Sequence, residues 1–563
     1  MKVSKSWLKE LVDLNISVEE LVSLLPLRAI STKEVTNDFI ELDMKGYNRA
    51  DLLSLRGIAQ EIAAITGSKM LFKEPTKSEF IWSRQNLLPV KVEIEDEKLC
   101  PVYCVAKIEN LRPQPSPKEW VKKLVDSGVR TIDTITDITN LIMLEYGQTV
   151  HAFDAAKVID ETMIVRLAKQ GEEFETLDGK VRKLTNEDLL ITDPKGILSL
   201  SGIMGGKNSE ITESTHTILL EVAIFDPISI RKSSQRFGLH SEASKRIQHG
   251  LTKTRLLQAL NTAIKMYQDL GGKLTAISLV GNLEDQIRKI TLTKQKLEDL
   301  VGVKFENSQV EDYLKSLYFK VEKVEDGWVV EVPYFRLDIN LEEDVIEEVA
   351  RIYGYEKIPA EKVSESEPLQ KEDPIFKTIS GLREKLVDLG LTEVQTYSFY
   401  TQDVLGALGF DESNKKFLVK VANPISAETE YLRMNIWPNL VEVLGRNLRK
   451  GYSDIAIFEI GKTYHKDFEG KGEPKEGNVL SIALYNGSDN PLEELVSIVK
   501  ELGLELKLDH AEAPEVVKNL FHPKRFVHLK KDGKDIGGAS EVHLRILNKL
   551  GIEKRVAVLE VEL

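Results

Sequence analysis

Six carboxylates lie between residues 338 and 348 of this 563-residue chain, and the spacing of four of them could bind a cation. Asp344, Glu347 and Glu348 have the i, i+3 and i+4 spacing that places side chains on one face of a helix, and Asp338 precedes them by six residues. Carboxylate oxygens in such a group could hold a hard cation such as Mg²⁺. Acidic residues in a first helical turn also favour the helix dipole and are then only solvated. The spacing alone leaves both interpretations open.

A helix that starts near residue 344 must position these carboxylates. Gly354 predicts its end. The apolar side chains of the segment keep a helical period on another face: Val345, Ile346, Val349, Ile352 and Tyr353. The sequence therefore predicts an amphipathic helix with the acidic residues on its other face.

The segment from Arg336 to Tyr355 closely resembles a signature of the β subunit of phenylalanyl-tRNA synthetase. Three further segments, 136–154, 200–206 and 220–230, resemble the same subunit in the same order and at similar spacing. Four ordered matches are very unlikely by chance. The resemblance extends over nearly the whole chain, so the sequence is identified as a member of this family.

The resemblance implies a subunit of a heterotetramer with two α and two β chains that attaches phenylalanine to its tRNA using ATP. The α chain is expected to hold the synthetic site. In this family, carboxylates at the positions of Asp338, Asp344, Glu347 and Glu348 are magnesium ligands, so Mg²⁺ is the expected cofactor. The β chain is expected to support the tRNA and to hydrolyse mischarged tyrosyl-tRNA.

The resemblance places Thr139, Asn140 and His151 around the ester and the attacking water of this editing reaction. His151 could orient the water or exchange a proton near neutral pH. Glu221 follows an apolar run on a predicted strand, so its carboxylate could be partly buried and accept a hydrogen bond from the hydroxyl of tyrosine. Phenylalanine would leave that carboxylate unpaired, which is the kind of difference that gives strong discrimination.

Two neighbouring residues are expected to bind the same substrate. Gly202 could offer its backbone N–H to the tyrosine hydroxyl. Ser201 stands where relatives often have a small apolar residue, and its hydroxyl could narrow the pocket or add a hydrogen bond. Each site residue also has a structural interpretation, as a packed histidine, a helix cap or half of a salt bridge. The alternatives to an editing subunit are a tRNA-binding scaffold with a lapsed pocket and a free-standing deacylase.

The predicted fold class is multidomain α+β. Its predicted parts are a mixed N-terminal unit (1–77), a linker (78–99), a β-rich editing domain (100–285), a small α/β module resembling nucleic-acid-binding domains (286–360) and a C-terminal domain (361–563). The last part resembles the antiparallel sheet with helices of class II synthetases. Its catalytic residues look absent, because Arg433 precedes an Asn-Ile-Trp-Pro run and no motif-three helix follows the last strand.

Many bacterial β subunits carry two further modules that this sequence is expected to lack. One is an oligonucleotide-binding domain, and only about twenty residues lie between Leu27 and Asn48 where it would be inserted. The other is a C-terminal anticodon-binding domain. Recognition of tRNA through those modules is therefore in doubt.

Composition indicates a cytoplasmic protein with no membrane segment. Polar residues interrupt every apolar run before it reaches the length of a signal peptide or membrane span. Cys100 and Cys104 are the only cysteines, and their separation along an extended strand is too large for a disulfide. The net charge of −14 argues against a surface covered by RNA contacts, and the best local candidate for such contacts is the basic segment 231–255.

Overall fold

The computed structural model describes residues 1–46, 48–361, 371–413, 415–466, 472–502, 507–511, 517–531 and 533–563. The chain divides into two compact units, Met1–Lys362 and Val363–Leu563. The multidomain α+β class predicted from the sequence is confirmed, since helices and mainly antiparallel sheets occur in both units. The predicted domain boundaries stay predictions. In the described part of the chain, no helix combines the length and apolar composition that crossing a membrane requires.

The first unit begins with short strands and three helices around one apolar core. Ser17 and Glu20 form a capping box at the start of α2, and Ser54 caps α3. Trp7, Leu8 and Leu21 are buried in the core. The elements are β1 (Lys2–Ser4), α1 (Lys5–Leu11), β2 (Val12–Asp13), α2 (Val18–Arg28), β3 (Thr32–Val35), β4 (Phe39–Leu42), α3 (Leu55–Thr66) and β5 (Lys69–Met70).

The next part contains two larger sheets, a two-stranded sheet formed by β10 and β11, and five α-helices. One sheet has the strand order β16-β7-β15-β8, and the other has the order β14-β13-β12-β9-β6. The elements are β6 (Lys91–Ile94), β7 (Val102–Glu109), α4 (Lys118–Asp126), α5 (Thr134–Tyr146), β8 (His151–Asp154), β9 (Thr162–Leu167), β10 (Glu173–Glu175), β11 (Val181–Lys183), β12 (Leu189–Thr192), β13 (Ile197–Leu200), β14 (Met204–Gly205), β15 (Ile218–Ile224), α6 (Pro227–Phe237), α7 (Glu242–His249), α8 (Lys253–Asp269) and β16 (Lys273–Gly281).

The four-stranded sheet is buried on both faces. Alternate residues of its strands, including Tyr103, Phe153 and Leu219, pack against the five-stranded sheet. We call this space the inter-sheet layer. The intervening residues, such as Leu220, pack against α5 and α8 on the other face. Burial on both faces explains why β15 is an almost continuous apolar run, in which Glu221 is the exception.

The first unit ends with a three-stranded sheet, order β17-β19-β18, and three helices around Trp328. Val345, Ile346 and Val349 of the predicted acidic helix are buried in this core, and the helix ends at Gly354. The elements are β17 (Arg288–Thr293), α9 (Lys294–Val301), α10 (Asn307–Ser316), β18 (Lys320–Val324), β19 (Gly327–Val332) and α11 (Glu342–Tyr353).

The second unit is built on a seven-stranded sheet of order β20-β23-β24-β28-β27-β26-β25. All of its described pairings are antiparallel except that between β20 and β23. Its elements are α12 (Pro374–Asp388), β20 (Thr392–Glu393), β21 (Phe399–Tyr400), α13 (Gln402–Leu408), β22 (Tyr431–Leu432), α14 (Trp437–Arg449), β23 (Ile455–His465), β24 (Lys475–Tyr485), α15 (Pro491–Glu501), β25 (Lys507–Ala511), β26 (Phe521–Lys531), β27 (Lys534–Val542), α16 (Leu544–Lys549) and β28 (Ala557–Glu562).

Candidate functional site

His151 and Glu221 lie directly opposite each other on the neighbouring antiparallel strands β8 and β15. Such a cross-strand pair has its Cβ atoms about 4.5–5.5 Å apart. Both residues share the side of their strands that carries Phe153 and Leu219, so both face the inter-sheet layer. The structure therefore brings together two predicted site residues that are 70 positions apart in the sequence.

The Glu221 side chain is buried without a charge partner. It makes no hydrogen bond or ion pair with any residue that the structure describes, and the residue is 7% exposed. Burial alone raises the pKa of Glu221 to about 8, because the charged form loses hydration that nothing replaces. Near pH 7 the carboxyl group is therefore mostly protonated and can both donate and accept a hydrogen bond.

His151 is half-buried, and burial of its imidazole lowers the pKa of the ring to about 4. Its ring packs edge-on against Phe153 with a centroid distance of 4.5 Å. A Cβ added at Gly205 would lie 3.0 Å from the ring atoms Cε1 and Nε2, so β14 closely approaches the imidazole. His151 is neutral near pH 7. Of the two roles expected for it, orienting a water fits this protonation state, and exchanging a proton near neutral pH does not.

Ser201 and Gly202 form the turn between β13 and β14. Ser201 is completely buried, and its hydroxyl has no hydrogen-bond partner among the described residues. Gly202 has a φ of +63°, and an added Cβ would lie 2.3 Å from Ile247 Cδ1 and 3.3 Å from Phe225 Cδ2. Ile247 and Phe225 belong to the core of the inter-sheet layer. The turn thus lies beside the same layer as His151 and Glu221.

Thr139 and Asn140 lie on α5, which packs on the other face of the four-stranded sheet through residues such as Ile138. The Thr139 hydroxyl donates to the carbonyl oxygen of Thr136, one turn earlier, at 2.7 Å. Asn140 is half-buried. The structure does not bring these two side chains onto the face that carries His151 and Glu221, so their roles at the ester stay predictions.

The carboxylates predicted to bind magnesium are arranged differently. Glu348 is buried between two arginines: it accepts hydrogen bonds from Arg351 Nε at 2.9 Å and Nη2 at 2.6 Å, and from Arg336 Nη2 at 2.9 Å. Asp338 accepts from Arg336 Nε at 3.0 Å and Nη2 at 2.7 Å. Two of the four expected ligands are therefore already neutralised by guanidinium groups.

The other two expected ligands have different surroundings. Asp344 accepts the backbone N–H groups of Asn340 and Leu341 at 2.7 and 2.8 Å, and Glu347 is exposed to solvent. Within the described ranges, no group of three His, Cys, Asp or Glu residues is arranged to hold a metal ion. The geometry fits ion pairs and a helix cap, and of the four carboxylates Glu347 is the one that is solvated as in the alternative interpretation. It does not fit a magnesium cage, and the magnesium site stays a prediction.

The ion pairs continue from the acidic helix to the start of the chain. Arg351 also pairs with Glu61 of α3, and Arg49 bridges Glu61 at 2.8 Å and Asp51 at 2.7 Å. We call the group Asp51, Arg49, Glu61, Arg351, Glu348, Arg336 and Asp338 the buried charge chain. The sequence offered only one local signal for it, the i, i+3 spacing of Glu348 and Arg351.

The basic segment 231–255, which is the best local candidate for RNA contacts in the sequence, is partly internal. Arg246 is 1% exposed and its Nε donates to the Leu53 carbonyl oxygen at 3.0 Å. Arg255 is also buried and donates to Gln60 at 3.0 Å. Arg231 and Lys232 remain exposed. Both arginines bond to residues of the N-terminal region, and charge counting along the sequence does not detect that.

Arg433 has an internal role in the second unit. The segment around it does not match the ATP-binding patterns expected of an active synthetase domain. Arg433 pairs with the buried Glu459 at 2.8 Å and donates through Nε to the carbonyl oxygen of Lys462 at 3.0 Å. Its side chain is 3% exposed. The residue stabilises the packing of the segment before α14 against β23.

Comparison with protein families assigns three successive parts of the chain. Residues 99–272 match the B3/4 domain, residues 290–355 match the tRNA synthetase B5 domain, and residues 358–563 match the phenylalanyl tRNA synthetase beta chain CLM domain. Two of these three families are tRNA synthetase domains by name. The order of the domains defines the chain as a component of an aminoacyl-tRNA synthetase.

Whole-chain comparisons identify the particular family. The phenylalanine–tRNA ligase β subunit of Streptococcus thermophilus is 32% identical, with 92% of this chain and 66% of that protein aligned. The β subunit of Bacillus cereus is also 32% identical, with 95% of this chain and 67% of that protein aligned. The chain belongs to the family of phenylalanine–tRNA ligase β subunits. It spans about two thirds of the length of these relatives.

Among solved structures, an N-terminal fragment of the phenylalanyl-tRNA synthetase β subunit from Pyrococcus horikoshii is similar to part of the chain. The two share 18% sequence identity with a TM-score of 0.36, and the match covers 63% of this chain and 99% of the fragment.

Proposed function

We propose that this chain is the β subunit of a cytoplasmic phenylalanine–tRNA ligase with two α and two β chains. In this proposal the α chain attaches phenylalanine to its tRNA using ATP, and this chain supports that reaction and hydrolyses tyrosyl-tRNA. Family membership supports the first part. The arrangement of His151 and Glu221 supports the second.

The observation that carries the editing role is a pair of uncharged but polar side chains in a buried layer. Glu221 has no partner in the described protein, and its protonated carboxyl can exchange hydrogen bonds with the hydroxyl of a tyrosyl group. A phenylalanyl group lacks that hydroxyl and would leave the buried carboxyl unpaired, which costs about 1–3 kcal/mol. The site would therefore favour tyrosyl over phenylalanyl esters.

Hydrolysis also needs a water held next to the ester. The neutral His151 ring has one nitrogen that can accept a hydrogen bond from that water and so direct its oxygen toward the carbonyl carbon. Attack breaks the acyl C–O bond, and the displaced ribose oxygen of the tRNA takes up the proton. Tyrosine and uncharged tRNA are the products.

The test is release of tyrosine from tyrosyl-tRNA specific for phenylalanine by the reconstituted α–β complex. His151→Ala and Glu221→Ala are each expected to slow release by about tenfold or more, since each removes a contact to the reacting group. His216→Ala is the matched control, because His216 is an exposed histidine of the same domain.

Equal, slow release by all four proteins would reject the editing role and leave the scaffold alternative. Release that falls in the His216 variant as much as in the others would show that the loss reflects folding and not the site.

A further inference from the structure

Tyr103 is a buried side chain that the sequence analysis did not single out. It lies on β7 opposite Ala223, and its neighbour on the same face, Val105, lies opposite Glu221. Tyr103 and Glu221 are therefore diagonal neighbours on one face of the sheet. Diagonal positions are about 7–8 Å apart, within reach of aromatic and long side chains.

The Tyr103 hydroxyl has no hydrogen-bond partner in the described part of the chain, although the residue is 0% exposed. Burial and the nearby Glu221 raise the pKa of Tyr103 well above the usual range of tyrosine, so the phenol is protonated and can donate. Most buried polar groups are paired, and each exception needs an explanation.

Two other buried tyrosines of the same domain have a hydrogen-bond partner for their hydroxyl group. The Tyr267 hydroxyl donates to the carbonyl oxygen of Ile135 at 2.8 Å, and the Tyr146 hydroxyl lies 2.7 Å from Thr262 Oγ1. Both tyrosines pack on the opposite face of the four-stranded sheet. The unpaired hydroxyl of Tyr103 instead belongs to the inter-sheet layer, beside which the unpaired hydroxyl of Ser201 also lies.

We propose that Tyr103 is a specificity residue whose hydroxyl binds the phenolic hydroxyl of a tyrosyl ester in the inter-sheet layer, together with Glu221. This inference rests on the proposed editing function. The phenol of the substrate can donate one hydrogen bond and accept another, so two protein groups are needed to satisfy it. Tyr103 supplies a donor in addition to the N–H expected from Gly202, and a phenylalanyl ester leaves the Tyr103 hydroxyl and the Glu221 carboxyl without a partner.

The test compares Tyr103→Phe with Tyr267→Phe in the full chain assembled with its α partner. Both substitutions remove one buried hydroxyl and keep the ring. We expect Tyr103→Phe to lower kcat/KM for tyrosyl-tRNA hydrolysis by about fivefold to tenfold, mainly through KM, because one hydrogen bond is lost. Hydrolysis of phenylalanyl-tRNA should change less than about twofold, since that substrate makes no such bond.

Thermal unfolding separates this role from a structural one. Tyr103→Phe should leave the unfolding midpoint unchanged or raise it, because no protein partner is lost. Tyr267→Phe should lower the midpoint, because it removes a buried hydrogen bond to the Ile135 carbonyl oxygen, and should leave hydrolysis of tyrosyl-tRNA unchanged.

Three outcomes overturn the inference. Unchanged tyrosyl-tRNA hydrolysis in Tyr103→Phe, with Glu221→Ala still impaired, rejects the role of Tyr103 and leaves the proposed function intact. A midpoint lowered as much as in Tyr267→Phe shows that the hydroxyl has a partner within the protein. Absence of hydrolysis by the unmodified complex rejects the proposed function and this inference together.

Discussion

His151 and Glu221 are both uncharged near pH 7, because burial lowers the pKa of the first to about 4 and raises that of the second to about 8. Uncharged groups suit a site that recognises one hydroxyl group, because burying a charged carboxylate would cost its hydration free energy. The apolar run before Glu221 was enough to predict that its carboxyl is buried. The pairing with His151 depends on the register of β8 against β15, and a single sequence does not reveal that.

The raised pKa of Glu221 predicts a specific effect of pH on stability. Between its ordinary pKa of 4.5 and the folded-state value of about 8, the unfolded chain releases the proton and the folded chain keeps it. The free energy of unfolding therefore falls as pH rises through this window and levels off above it. Glu221→Gln removes the ionisation. We expect the free energy of unfolding of the variant, relative to that of the unmodified chain, to be higher at pH 7 than at pH 4.5. The expected increase between the two pH values is on the order of 3 kcal/mol.

Denaturant unfolding of both proteins at the two pH values measures this difference. Comparing the two pH values cancels any constant effect of the amide group. A difference that is the same at pH 4.5 and pH 7 would mean that Glu221 ionises normally in the folded chain.

At the scale of elements, the acidic helix α11 shows what local patterns can and cannot predict. Its apolar face and its end at Gly354 follow from the period and the glycine, and the structure has both. The environment of Glu348 depends on Arg336, which precedes the helix, and on Arg351, whose other partner is Glu61 from a distant helix. Long-range ion pairs of this kind leave no periodic signal in the sequence.

The buried charge chain predicts that substitutions of two adjacent glutamates differ strongly in their effect on stability. Glu348→Gln removes the charge shared by two buried arginines and should destabilise the first unit by about 3–5 kcal/mol. Glu347→Gln alters an exposed side chain and should change stability by less than about 0.5 kcal/mol. Calorimetric unfolding of the two variants beside the unmodified chain measures both effects.

The same proteins test the magnesium prediction. If the ion pairs are the whole role of this segment, millimolar Mg²⁺ should not shift the unfolding midpoint of the unmodified chain. A rise in the midpoint with Mg²⁺ that disappears in Glu347→Gln would instead establish the metal site and contradict the arrangement described above.

At the scale of the whole molecule, the order of the domains is the most predictable property. Four motifs spread along the chain give the family, because each keeps its residues and spacing, and the comparisons agree with it. Surface chemistry is less predictable. The basic segment 231–255 looks continuous in the sequence, yet Arg246 and Arg255 turn into the protein to bond with residues of the N-terminal region. Only part of that segment can contact phosphate groups.

In the proposed function, this chain removes tyrosine from mischarged tRNA. The most direct measurement is the level of tyrosyl-tRNA that the α–β complex accumulates from ATP, tyrosine and phenylalanine-specific tRNA. We predict that the unmodified complex leaves little tyrosine on the tRNA and that Glu221→Ala lets it accumulate, with the rate of phenylalanine attachment the same in both. Equal accumulation by the two complexes would contradict the claim.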